Sequence, residues 1–577
     1  MAKGMMLVAR GDQEAAFEAF SMALDIEPNL PETLAWAAFV ALNLGRYGEA
    51  EQFAGRLTQA VPANPRGYYL LANALRAQDR IEEALAAIDH ALDLNPKDTE
   101  SLVTKARLLK AWQMPALAEE LYKRSMAIRP TPAAGMELAQ LFLRDSHPES
   151  ALEILQQIAP MMPKTDRPYA PMGEAYTLMH RFEEAEEQWE LAKKYAANPT
   201  PIAQGQARVE IAAGRFDRAE GILFELIDDG VDLPTTFSIL STGRKMKADD
   251  LPLIERMASL PIDRLTVSEQ VDLNYALGKS FDDVRDYKRA IAAYDEANRL
   301  CLNIYKQRRA FDRDQTKAFT DFLIEISTPE RIQSLAKDGL PDDFPLFVVG
   351  MMRSGTTLTE TILSAHSKIA GGGEQAFWTE HVVEFIHMDG HGLRYDHRLV
   401  TQFAQEYLGL VGAKDDSKRY VIDKNPGNYE LAAILHTALP NCKFIHLKRH
   451  PVDNLLSIWM TPLSANVRFA SDRSNLVFTY REHMRLVNHW LEVLPPDRFV
   501  SYRYEDLTSD PQTTISSMLD YLGLEREEGC FAPEKNTRSV LTPSVYQVRQ
   551  PINRGSQERW KNYEPWLDDF AELLSEA

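Results

Sequence analysis

Alanine recurs at Ala16, Ala50, Ala84, Ala118, Ala151, Ala185 and Ala219, with gaps of 34, 34, 34, 33, 34 and 34 residues. So regular a period means that one supersecondary unit is used repeatedly. Prolines follow most of these alanines by twelve residues, at Pro28, Pro62, Pro96, Pro130 and Pro163, where a helix must stop before the next unit starts. Each block therefore holds two helices. A lone helix pair cannot bury its own apolar face, so the blocks must stack, with alanine allowing close approach and Phe20, Ile88, Tyr122 and Trp189 filling the seam. Gly173, Tyr176, Ala185, Trp189 and Ala192 carry the same small and large alternation, and Gly278, Phe281, Ala290, Tyr294 and Ala297 repeat it. Residues 230–270 follow it poorly and read as an irregular unit, and the first block lacks most of its opening helix.

A different element organises the rest of the chain. Pro345-Leu-Phe-Val-Val-Gly-Met-Met-Arg-Ser-Gly-Thr-Thr-Leu358 reads as a buried strand, a tight glycine turn and a helix start. That geometry turns the backbone N–H groups of Ser354, Gly355, Thr356 and Thr357 toward an anion at the positive end of the helix. Gly350 and Gly355 keep the spacing of the nucleoside-triphosphate loop G-x-x-x-x-G-K-[ST], but Thr356 stands where its lysine belongs. Arg353 supplies the charge instead. The missing lysine argues against a kinase-like enzyme and for a nucleotide without a γ-phosphate.

Further stations follow at strand ends, where open α/β sheets bind ligands. Gly371-Gly-Gly-Glu374 frees the backbone beside a carboxylate that could take the proton of a hydroxyl, a contribution of ~10²–10⁴ in rate. Tyr420-Val-Ile-Asp-Lys424 ends a second strand in a polar turn. Cys442 to Lys448 is a third, running into Arg449 and a helix that carries Ser457. Arginine's planar fork suits a phosphate. Phe499-Val-Ser-Tyr-Arg-Tyr504 is a fourth, and Arg549, Arg554, Arg559 and Lys561 crowd the last stretch.

Two resemblances emerge. The period is that of tetratricopeptide repeats, which implies an α-solenoid binding a peptide or protein in its groove. The R-S-G-T-T turn resembles the 5′-phosphosulfate loop of sulfotransferases, which implies a P-loop-like three-layer α/β domain with a parallel sheet. The implied co-substrate is 3′-phosphoadenosine-5′-phosphosulfate (PAPS), with the bisphosphate PAP as product and no catalytic metal. The distance from Arg353 to Glu374, and Ala365-His366 between them, are similar to protein-tyrosine sulfotransferases. Ser367 departs from the proline usual there, and Ala376 from an arginine.

On this resemblance Glu374, Arg353, Lys424 and Ser544 are catalytic. Arg353, Ser354, Gly355, Thr356, Thr357, Arg449, Ser457, Tyr504 and Arg559 hold the nucleotide, with Arg449 and Ser457 at its 3′-phosphate. His366 is a rival base, expected to be a packed helix-end residue.

The expected division is 1–300 solenoid, 301–343 connector and 344–577 transferase, with the basic Lys306-Gln-Arg-Arg309 on a solvated helix. A net charge of −20 argues against nucleic acid and anionic membrane. The three cysteines Cys301, Cys442 and Cys530 are too scattered for a disulfide framework or zinc site. With no leader core and no apolar run long enough to span a bilayer, a cytoplasmic enzyme is expected. The expected reaction is sulfuryl transfer to a hydroxyl, first to protein tyrosine. A glycan, lipid or small metabolite is the alternative acceptor, and a non-catalytic PAP-binding adaptor the alternative role.

Overall fold

A computed structural model describes the chain apart from residues 113, 145–146, 232, 309, 390–391, 413–416, 464–466, 537, 539–541, 543 and 577, and the side chains of 115, 116, 304–308, 388 and 389. The basic cluster at 306–309 lies outside the described side chains. The chain divides into two compact units, one of Met1–Leu143 with Glu149–Lys164, the other of Arg144–Pro148 with Thr165–Ala577.

The first unit consists of antiparallel helix pairs, beginning with a short Ala2–Ala9 against Gln13–Ile26 and continuing with Pro31–Asn43 and Tyr47–Ala60, then Pro65–Ala77 and Ile81–Leu94. Ala16, Ala50, Ala84, Ala118 and Ala151 are fully buried. A small residue on the first helix faces a large one on the second, and a Cβ on Gly4 would lie 2.6 Å from the Phe20 ring. The same pairing recurs in the second unit, where Gly173 meets Trp189 and Gly278 meets Tyr294, each at 2.7 Å. The repeat pattern thus runs through both units. A groove of about 740 Å³ in the first is lined by Phe39, Asn43, Tyr47, Tyr69, Asn73 and Arg76 among others.

In the second unit the helices Thr200–Ala212, Phe216–Asp228, Pro234–Gly243, Val267–Asp283 and Tyr287–Arg308 precede the sheet. Within 230–270, where the pattern is weak, Pro234–Gly243 and Leu251–Ala258 are short. These helices do not form a separate body. Ala207, Leu223, Phe237, Leu273 and Tyr294 belong to one apolar core with Val452, Leu455, Tyr480, Tyr563 and Phe570. The stretch expected as a connector is itself helical at Arg313–Ile326 and Pro329–Leu335. Among the described residues no helix is long and apolar enough to cross a membrane.

Among the described residues seven strands follow: β1 (Pro345–Gly350), β2 (Ile369–Gly371), β3 (Ile386–Asp389), β4 (Gly392–Tyr395), β5 (Tyr420–Asp423), β6 (Lys443–Lys448) and β7 (Phe499–Arg503). β3 and β4 pair antiparallel as a hairpin; the other five form a parallel sheet in the order β2-β5-β1-β6-β7. β1 is buried along its whole length, as its unbroken apolar run demands of a central parallel strand. Leu346 and Val348 pack with Ile362, Leu363, Ile515 and Leu519 on one face. Phe347 and Val349 pack with Trp378, Val400, Leu435 and Trp490 on the other, giving three layers. The chain leaves β1 toward β2 on one side and later crosses to β6 on the other. Such a reversal opens a crevice at the carboxyl ends beside β1.

Candidate active site

The five parallel strands share one carboxyl end, and each is followed there by one sequence-predicted residue. β1 leads to Arg353, β2 to Glu374, β5 to Lys424, β6 to Arg449 and β7 to Tyr504.

The turn after β1 is built by close contacts. A Cβ on Gly350 would lie 2.6 Å from the Leu447 carbonyl of β6, and one on Gly355, at φ +110°, 2.6 Å from the Tyr504 ring. Arg353 adopts φ +65°, a conformation that costs a residue other than glycine ~1–3 kcal/mol. The helix Thr356–Leu363 starts directly on Gly355. Ser354 is fully buried, and its Oγ has no hydrogen-bond partner among the described residues.

Arg353 gathers three side chains. Its Nε donates to Ser457 Oγ at 3.3 Å, one terminal nitrogen to Ser544 Oγ, and the other to Gln547 Oε1 at 3.2 Å. Arg449 donates to the Arg353 carbonyl at 3.0 Å and to the Ser556 carbonyl at 2.6 Å, with its guanidinium 4.8 Å from the centre of the Tyr504 ring. Arg449 Nε is buried without a partner among the described residues. Burial, then the charges of Arg449 and Arg559, push the Arg353 guanidinium down to about 10. Burial likewise lowers Arg449. Arg353 and Arg449 thus meet at the turn after β1, and Arg559 is near enough for its charge to act on both.

Glu374 and Lys424 form a second cluster, in direct ion contact. The Lys424 side chain is 1% exposed and that of Glu374 53%. Among the described residues no hydrogen bond joins this pair to the Arg353 cluster. Their loops are stapled together. Gly372 N–H donates to the Ile422 carbonyl at 2.7 Å and Lys424 N–H to the Gly373 carbonyl at 2.8 Å. A Cβ on Gly372 would stand 2.4 Å from that Ile422 oxygen, which explains the glycine.

Three residues that sequence reasoning missed complete the support. Asp423 accepts from Gln375 N–H at 3.4 Å, Asn425 N–H at 3.2 Å, Asn428 at 3.1 Å and Tyr407 at 3.0 Å, and burial pushes its carboxyl up to about 7. Glu360 accepts from Gly373 N–H at 2.9 Å and from Arg538 at 2.6 Å. Burial opposes the Glu360 charge, but Arg538 and Lys424 outweigh it and hold the carboxyl below its usual value. Gln547 lies one helical turn beyond Ser544, a spacing that offered the one available clue.

Thr357 Oγ1 lies 3.4 Å from Thr542 Oγ1 and Thr356 is buried on the first turn. His366 is occupied on both nitrogens: Nδ1 accepts from Lys368 N–H at 3.0 Å and Nε2 faces the Glu525 carbonyl at 3.0 Å. It is thus packed at its helix end. Arg559 pairs with Asp282 at 2.5 Å, a partner no local pattern announced.

Comparison with known proteins matches residues 345–528 to the sulfotransferase family, and residues 7–74 and 65–98 to tetratricopeptide repeats. An uncharacterized protein of Aquifex aeolicus (strain VF5) is 26% identical, over 93% of this chain and 73% of its own length. Protein-tyrosine sulfotransferase 2 of Gallus gallus is 24% identical, over 40% of this chain. Omega-hydroxy-beta-dihydromenaquinone-9 sulfotransferase Stf3 of Mycobacterium tuberculosis (strain CDC 1551 / Oshkosh) is 24% identical, over 33% of this chain. The matches span 66% and 65% of those two enzymes, just under two thirds of each.

Proposed function

We propose that this chain, with tetratricopeptide repeats followed by a sulfotransferase-family domain, transfers a sulfuryl group from PAPS to a hydroxyl acceptor. The observation that carries this reading is the convergence of Arg353, Arg449 and Arg559 on one crevice with two buried polar atoms, Ser354 Oγ and Arg449 Nε, left without partners among the described residues. A ligand bearing two anionic groups fits such a receptor. Gly355, Thr356 and Thr357 would hold its 5′-phosphosulfate through backbone N–H groups and Ser354 through its hydroxyl, because the Ser354 N–H already donates to the Met351 carbonyl at 3.1 Å; Arg449 and Ser457 would hold its 3′-phosphate, and Tyr504 its nucleoside.

In the transfer, the acceptor oxygen forms a bond to sulfur while the bond from sulfur to the bridging phosphate oxygen breaks. The acceptor proton passes to Glu374, whose half-exposed carboxylate faces solvent from the edge of the crevice. The departing phosphate gains negative charge, which Lys424, Arg353 and the Ser544 hydroxyl offset as fixed donors, and PAP leaves.

Protein tyrosine is the acceptor favoured by the position of Glu374 and by the repeats. The groove holding Tyr47, Tyr69, Asn73 and Arg76 offers aromatic faces and side-chain amides for an extended peptide. A lipid or small hydroxyl compound is the second reading. The name of the mycobacterial relative favours it, as does Ala376 in place of an acceptor-side arginine. A panel of tyrosine peptides, glycans and lipid alcohols incubated with sulfur-labelled PAPS tests both. Labelled peptide is expected; label confined to lipid or sugar reverses the order, and no label anywhere contradicts the transferase reading.

A further inference from the structure

One of the three arginines at the crevice is held by the repeats. Arg559 donates to Asp282 Oδ2 at 2.5 Å, and the other Asp282 oxygen accepts from Tyr563. Asp282 lies on Val267–Asp283, the first helix of the last regular repeat. From the second helix of that repeat, the Tyr287 ring packs edge-on against Tyr563 with centroids 5.2 Å apart. The segment bearing Arg559 is equally tied to the transferase side. The Ser556 carbonyl accepts from Arg449 at 2.6 Å, Trp560 N–H donates to Asp453 at 2.9 Å, and the Trp560 ring stacks on His450 with centroids 5.8 Å apart. Residues 556–563 thus span from the loop of Arg449 to a repeat helix.

The need for Asp282 follows from charge. Arg353, Arg449 and Arg559 are close enough to repel one another, and a long guanidinium side chain with nothing opposing that repulsion would turn outward to water. The Asp282 side chain is 13% exposed and that of Arg559 24%, so the pair is shielded from salt more than a surface pair would be. Burial works against the charge on Arg559, and the Asp282 carboxylate outweighs it. Resting on the donor-site reading above, we infer that Asp282 is a positioning residue of that site, aiming Arg559 at a phosphate of the nucleotide. It lies outside the segment matched to the sulfotransferase family. The repeats nearest the sheet are then a working wall of the donor pocket, and the transferase domain cut away from them would bind its nucleotide poorly.

The test is calorimetric titration of PAP into the full chain and into Asp282→Asn, with initial rates in PAPS. Wild type is expected to bind. The variant should raise the Kd for PAP and the KM for PAPS by about tenfold, while kcat at saturating PAPS stays within about twofold. A carboxylate that only braces the repeats would lower the melting temperature and leave both constants unchanged, and that result overturns the inference. A cycle with Arg559→Gln is the second arm: once Arg559 is gone, Asp282→Asn should change the Kd little, and fully additive effects also overturn it. If Asp282→Asn does not fold, Asp282→Glu keeps the charge on a longer arm and should still weaken PAP, an unchanged Kd again overturning the inference. Failure of wild type itself to bind PAP would instead remove the donor-site reading, and the inference with it.

Discussion

Lys424 and Glu374 are in direct ion contact across the ends of β5 and β2, joining the group proposed to steady the leaving phosphate to the one proposed to take the acceptor's proton. Their exposures differ so much that their roles separate: Lys424 is locked in place, and Glu374 can turn toward an incoming hydroxyl. Glu374→Gln removes the base and the direct ion partner of Lys424, leaving Glu360 as the nearby negative charge. The stability loss should stay below the ~3–5 kcal/mol of a broken fully buried pair, because Glu374 is half in water. Turnover should fall by ~10²–10⁴ with PAP affinity nearly intact, as single-turnover rates and calorimetry would show. Undiminished turnover would assign the proton transfer elsewhere.

Arg353 uses all three of its side-chain nitrogens, on Ser457, Ser544 and Gln547. A lysine at this place has one nitrogen and cannot span them, so Arg353→Lys should weaken PAP binding by ~1.5–3 kcal/mol despite keeping the charge. Equal affinities would show that charge alone matters there.

Gly355→Ala puts a methyl 2.6 Å from the Tyr504 ring at a left-handed backbone position. A loss of ~1–3 kcal/mol in denaturant stability is expected, with weaker PAP binding as Tyr504 shifts. Wild-type values in both measurements would mean that the turn is more yielding than these contacts imply.

Much of this was legible because the signals are local. The alanine period reports packing within and between helix pairs, and Ala16, Ala50, Ala84, Ala118, Ala151, Ala185 and Ala219 are all buried. Apolar runs ending in polar turns located β1, β5, β6 and β7, and the topology of a parallel sheet gathers their ends. What escaped depends on contacts distant in sequence. Asp282 and Arg559 are 277 residues apart, and no periodicity links them. Arg549, Arg554 and Arg559 read alike as a basic crowd, yet they meet the Asn536 and Arg538 carbonyls, the Ser509 carbonyl and Asp282 respectively. The repeat pattern is equally silent about the outer faces of 203–301, which pack into the core shared with Val452 and Phe570.

Asp423 gives a pH dependence with a definite sign. Its carboxyl is raised from 3.8 to about 7 by burial, so the folded chain binds a proton there that the unfolded chain has released. The stability it contributes is complete below the ordinary value and is lost as pH rises through the folded one. Asp423→Asn cannot lose that proton. The melting temperature of the variant minus that of wild type should therefore climb between about pH 4 and about pH 8. A difference that stays flat across this window would mean that Asp423 is ionised in the fold.

The central claim is that Arg353 and Arg449, at the carboxyl ends of β1 and β6, receive an adenosine bisphosphate together with Arg559 from the C-terminal segment. Calorimetric titration of PAP into the full chain tests it most directly. The account predicts saturable one-to-one binding that Arg353→Ala with Arg449→Ala abolishes while the fold is kept. Absence of binding to the folded wild-type chain, or binding that the double variant retains, would contradict it.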